Sequence, residues 1–184
     1  MATISLAADT GMALPLETGL ATCLVSVALA ERLGLDDGER TRIHRLALLQ
    51  HIGCTAAAAR VAGALGDEMI MRAHAATLDF SDQRQMLRFM LAHVARTNPV
   101  LNRPAALARL MVKGREVTAT ARDVCEAARM LGPRCGYDPD HIDDFNAVYE
   151  NWDGTGFPGT ASGESIPLPV QVVQVATLAV CAHH

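Results

Sequence analysis

Asn151-Trp152-Asp153-Gly154-Thr155-Gly156-Phe157-Pro158 interrupts a chain that is otherwise alanine-rich and helical in its spacing. Gly154 and Gly156 admit positive φ, Pro158 fixes φ, and the Asp153 carboxylate suits the backbone N–H groups of its own turn. Together they specify a shaped loop rather than a slack linker. The one tryptophan of the chain, Trp152, stands at its entrance.

The flanks of this loop read as helices. Asp138 as N-cap and Pro139 at the first helical position start a helix that runs to about Asn151 and delivers the chain into the loop. Beyond it, Ile166-Pro167-Leu168-Pro169 leads into the apolar run Val170–Val180. Its valines favour a strand by propensity, but its length and the helical context favour a buried helix. Further upstream, Leu16, Leu20, Leu24, Val27, Ala28 and Leu33 recur at helical spacing until Gly34. Asp36 and Glu39 form a capping box for a second helix to about His51, which Gly53 ends. Helices are also expected over 55–65, 81–97, 105–112 and 117–131, the last closed by Gly132-Pro133. Two helical hairpins, ending near Gln50-His51 and Tyr149-Glu150, echo each other and are read as meeting at a shared centre.

Composition bounds the rest. The chain has 184 residues, 50% hydrophobic and only 4% aromatic, so its core must be Leu, Val, Ala and Met packed between helices. A net charge of −4 without a basic stripe argues against direct nucleic-acid binding by this segment. Cys23, Cys54, Cys125, Cys135 and Cys181 form no C-x-x-C pair and read as reduced, small apolar residues of a cytoplasmic protein. Neither a signal peptide nor a membrane span is apparent. Residues 1–184 read as a single all-α domain.

The loop resembles the DGxGYP signature of the HD-GYP phosphodiesterases, with Phe157 in the place of the tyrosine. The resemblance extends further. Residues 46–53, Leu-Ala-Leu-Leu-Gln-His-Ile-Gly, are similar to the "aaLLHDIGK" segment of the family, residues 148–158 to "HHExxDGxGYP", and residues 166–177 to "IPLxARIVxIAD". This implies an HD-domain-like helical bundle, which in the family holds divalent metals between helices to hydrolyse phosphoesters, usually cyclic di-GMP. Such metals activate a bound water and clamp phosphoryl oxygens. The ligand positions, however, are occupied differently here. The His-Asp pair falls on Gln50-His51, and the following Lys on Cys54. The tandem histidines fall on Val148-Tyr149, with Glu150 retained, and the late Asp falls on Thr177. The first helix has no histidine counterpart between Leu16 and Leu33, and a mid-chain histidine falls near Arg115. The phrases Ala-Glu-Arg-Leu-Gly-Leu, Leu-Leu-Gln-His-Ile-Gly-Cys-Thr-Ala and Val-Tyr-Glu-Asn-Trp-Asp-Gly are similar to the HD-type domain of actinobacterial LuxR-type transcriptional regulators. There it precedes a DNA-binding helix-turn-helix. The sequence stops at His184 inside what reads as a long helix, so the domain is expected to be truncated at its C-terminus.

These readings name Gln50, His51, Tyr149, Glu150, Trp152 and Asp153 as candidate ligand-binding residues. Gly154, Gly156, Phe157 and Pro158 are expected to shape the loop, and no residue is assigned to catalysis or metal. Trp152 and Asp153 are expected to line a pocket beside Gln50-His51. The implied function is a catalytically degenerate regulatory domain for sensing a small-molecule or nucleotide ligand, for homodimerisation, or for both. One alternative is an active phosphohydrolase with iron, manganese or zinc rebuilt on His51, Glu150 and His74 or His93. Another is a pure protein-interaction module. The plainer roles are a hydrogen-bonded helix-end histidine for His51, a cap on its own loop for Asp153, and a solvated helix face for Asp143-Asp144.

Overall fold

A computed structural model describes residues 1–12, 14–54, 88, 91–92, 123–156 and 158–183. The expected helices at 55–65 and 105–112 lie outside these residues, as do His74, His93, Arg115 and Phe157. Of the helix expected over 81–97, Arg88, Leu91 and Ala92 are described, and they are helical. The described residues contain helices and turns and no strand, in keeping with an all-α chain.

The chain opens with a helix that periodicity did not reveal, α1 (Ala2–Gly11). It is followed by α2 (Thr18–Arg32) and α3 (Asp37–Leu49). Residues 123–131 form α4, Asp144–Ala147 the single turn α5, and Leu168–His183 the last helix, α6. Helices α2, α3 and α6 pack on one another, and α1 crosses α2 and α3. Ile43, Leu46 and Leu49 of α3 meet Val170 and Val173 of α6 in the shared core, with Phe145 and Tyr137 closing one end. Each such side chain, fully withdrawn from water, contributes about 1.5–3 kcal/mol.

Helix α2 turns a different face inward from the one its leucines suggest. Leu16 and Leu24 are 67% and 74% exposed, and Leu33 is 58% exposed. The buried side is instead Thr18, Gly19, Thr22, Cys23, Ser26 and Ala30. That side packs closely on its neighbours: Cys23 Sγ lies 3.7 Å from His44 O of α3, and at the α1 crossing a Cβ on Gly19 would stand 2.2 Å from Ser5 Oγ. Only small side chains fit such a crossing, and Leu20, Val27 and Leu29 pack along its edges. The same approach supplies the cap that α2 lacks locally. Its N-cap residue, Glu17, has φ of 72° and makes no side-chain cap. The buried Asp9 carboxylate accepts the Gly19 N–H at 3.2 Å instead. Burial pushes the Asp9 pKa up, and the N–H groups of Gly19, Glu17 and Thr18 draw it back down.

Helix α3 begins as its sequence implies, with Asp36 accepting the Glu39 N–H at 2.9 Å. The helix expected from Pro139 to Asn151 is broken into pieces. A 3₁₀ turn at Pro139–His141, capped by Asp138, precedes α5. Hydrogen bonds between residues three apart recur through Glu150. The break coincides with Asp144, which is buried rather than solvated. Its carboxylate takes a bidentate pair from Arg42 Nε and Nη2, both at 2.7 Å, and the Tyr137 hydroxyl at 2.5 Å. Asp143 is the exposed member and pairs with Arg129. The Val170–Val180 run is helical within α6, yet not buried all round, since Val175 and Leu178 are 58% and 64% exposed.

Candidate functional site

Three polar residues spaced three apart mark one side of α6: Gln171, Gln174 and Thr177. Each bonds to a different segment. Gln171 Nε2 donates to Ile166 O at 2.7 Å. Gln174 Nε2 reaches Ala147 O and Val148 O at 3.1 Å and Glu150 O at 2.7 Å, capping the broken helix where it enters the glycine loop. Thr177 Oγ1 lies 3.3 Å from Gln50 Oε1, at the C-cap of α3.

Around Gln50 the ends of the two helical segments come together. The Tyr149 hydroxyl stands 3.3 Å from the Gln50 carbonyl oxygen and 3.3 Å from Cys54 Sγ. Cys54 Sγ is 4.0 Å from His51 Nδ1. The turn at 51–54 is pressed against α4, where a Cβ on Gly53 would stand 2.1 Å from Val124 O and 3.0 Å from the Ala128 Cβ. His51, Tyr149 and Cys125 are pushed toward their neutral forms. Burial lowers the His51 pKa to about 4, although part of the residue still meets solvent. Burial, then the neighbouring Cys54, raises Tyr149 well above its ordinary value. Burial raises Cys125 to about 11, with Cys54 adding to the effect.

The loop residues serve the loop. Glu150 is 2% exposed, and its carboxylate accepts the N–H groups of Gly159 at 3.0 Å, Thr160 at 2.6 Å and Ala161 at 3.2 Å, with the Thr160 hydroxyl at 3.0 Å. Asp153 is exposed and accepts the Thr155 N–H at 3.0 Å and its hydroxyl at 2.5 Å, closing an Asx turn. Trp152 is 62% exposed on the surface. Gly154 takes φ of 78°, as expected of a turn glycine. Gly156 is required for a different reason from the positive φ expected of it: a Cβ there would overlap Asn151 N at 2.2 Å and the Glu150 backbone at 2.5 Å. Pro158 lies in the same turn and is partly buried.

The structure thus brings Gln50, His51 and Tyr149 together and adds Cys54 and Thr177 to them. Glu150 and Asp153 are engaged in the loop, and Trp152 lies at its surface. The roles of Glu150 and Gln174 were missed in the sequence, although polar residues at intervals of three in an apolar helix were a usable signal. The neutral amide, hydroxyls and thiol at this junction do not fit a divalent cation, which needs anionic or freely available imidazole ligands. Among the described residues, no three His, Cys, Asp or Glu side chains are grouped to hold one ion. A separate cleft of about 510 Å³ lies at the opposite end of α3, among Asp36, Arg42, Arg45, Asp138 and His141. Its α3 residues, from Asp36 to Arg45, lie about 8–21 Å along the helix from Gln50, given 1.5 Å per residue.

Comparisons with models of known families, with curated proteins and with solved structures found no match to this chain.

Proposed function

We propose that the chain is a catalytically degenerate, HD-GYP-like regulatory domain that senses a small ligand and belongs to a LuxR-type transcriptional regulator. The observation that supports this reading is the meeting of Gln50, Tyr149 and Thr177. These residues are far apart in sequence, they stand where the resembling family carries metal ligands, and here they form a neutral hydrogen-bonded junction. The scaffold that gathers ligands is kept while the charges that would hold a metal are gone. Glu150 and Asp153, the retained acidic residues of that motif, are both engaged by backbone N–H groups of the loop, three of them on Glu150. Homodimerisation belongs to the same reading, and the exposed Leu24, Val175 and Leu178 offer apolar surface for it.

The test is metal analysis of the purified protein together with incubation with cyclic di-GMP. The expected result is substoichiometric iron, manganese and zinc and no linear product, even with added manganese. Stoichiometric metal accompanied by turnover would overturn the reading in favour of a phosphohydrolase.

A further inference from the structure

Gln50 is only 4% exposed, and its Nε2 has no hydrogen-bond partner among the described residues. Thr177 Oγ1 lies 3.3 Å from Oε1 and donates to Val173 O at 2.8 Å. Thr177 touches a single end of the amide. Turning the amide over changes which end that is and leaves the other end unpaired. In both orientations one strong polar atom stays buried without a partner. Native proteins rarely keep such an atom unless a water or a ligand completes its bonds.

The surroundings say what kind of partner would fit. Tyr149, Cys54, His51 and Thr177 adjoin Gln50 or one another, and His51 is held neutral by burial. Glu150, adjacent to Tyr149, spends its carboxylate on the 159–161 turn. Among the described residues at this junction there is no counter-charge for a phosphate, a carboxylate or a metal ion. Desolvating such an ion here would go uncompensated, whereas a neutral polar group loses little and gains the missing hydrogen bond. Of the residues around Gln50, His51, Tyr149 and Thr177 are only partly buried.

We propose that the junction of α3 and α6 recognises an uncharged hydrogen-bonding group of a small molecule (an amide, carbonyl or hydroxyl) through the side chain of Gln50. This rests on the reading of the junction as a binding site, and it replaces the nucleotide ligand implied by the family resemblance with a neutral one. An amide partner satisfies either orientation of Gln50, because it both donates and accepts.

Three probes of nearly equal shape separate the possibilities: acetamide, acetate and acetamidinium. Each is titrated into the isotopically labelled chain while the Gln50 side-chain amide signals are followed by NMR. Acetamide is expected to shift those signals saturably, with a Kd lower by at least about tenfold than either ion. Read from the His51 backbone amide signal, which both variants keep, Gln50→Met is expected to raise the acetamide Kd by at least about tenfold, and Thr177→Val to raise it less, by roughly threefold. Thr177→Val carries the test should Gln50→Met fail to fold. Unchanged acetamide affinity in the folded variants overturns the proposal. An ion that binds at Gln50 as tightly as acetamide overturns the neutral-ligand inference and leaves the binding role standing. If none of the three probes perturbs Gln50, the binding role itself falls.

Discussion

Arg42→Met is the substitution whose effect follows most directly from the geometry. Arg42 and Asp144 are 102 positions apart and form a bidentate pair at 2.7 Å, with side chains 15% and 3% exposed. Removing the guanidinium leaves the Asp144 carboxylate buried with the Tyr137 hydroxyl as its remaining polar partner. Breaking a buried pair from one side costs about 3–5 kcal/mol, because the surviving charge is uncompensated. The double variant Arg42→Met/Asp144→Leu contains no buried charge at this position and strands the Tyr137 hydroxyl, a loss of about 1–3 kcal/mol, besides the longer contact of Arg42 with the partly exposed Glu39 at 3.8 Å. The double variant is therefore expected to be more stable than Arg42→Met alone. Urea unfolding of the wild type, both single variants and the double, followed by far-UV circular dichroism, closes the thermodynamic cycle. Two outcomes refute the reasoning: a loss below about 1 kcal/mol for Arg42→Met, or a double variant whose loss equals the sum of the single ones.

Other outcomes are expected from the loop and from His51. Glu150→Gln places an amide N–H against the Gly159 N–H and is expected to cost about 2–3 kcal/mol, whereas Glu150→Asp should fail to span the turn; urea titration measures both. Gly156→Ala meets backbone atoms that cannot yield, while Gly154→Ala incurs the positive-φ penalty of about 1–2 kcal/mol and a tight contact with the Ser162 side chain at 3.2 Å. The larger loss for Gly156→Ala, read by thermal melts, tests this ranking. For His51, the folded pKa of about 4 lies below the ordinary 6.5, so between these values the unfolded chain takes up a proton that the folded chain does not. Stability is thus complete above pH 6.5 and declines as pH falls toward 4. The full shift corresponds to about 3 kcal/mol, and roughly half is expected because His51 keeps some solvent contact. His51→Gln should flatten that part of the profile, and an identical slope in the variant would rule His51 out as its source.

Much of the helical order was legible because it rests on local chemistry. Asp36, Gly34, Asp138-Pro139 and Gly132-Pro133 act within one turn of themselves, and the structure puts helix ends at or beside each. What was not legible depends on partners distant in sequence. Leu24 of α2 faces outward because the small-residue side packs against α1, α3 and α6, and nothing in α2 alone announces those neighbours. Asp143 and Asp144 look alike in sequence, and only the fold brings Arg42 to the second. The candidate site shows the same division. The loop's shape could be read from Asp153, Gly154 and Pro158, whereas the binding of Glu150 to the 159–161 turn could not. The choice of Gln50 as a site residue came from the family resemblance, and its unpaired amide became visible only in three dimensions.

Gln174 and Thr177 of α6 have a mechanical consequence. Sliding this helix along its axis by one residue, about 1.5 Å, would strain or break together the bonds to the carbonyls at 147–150 and to Gln50. Such a helix resists acting as a piston. It moves most easily as a lever, carrying the entrance of the glycine loop and the end of α3 with it.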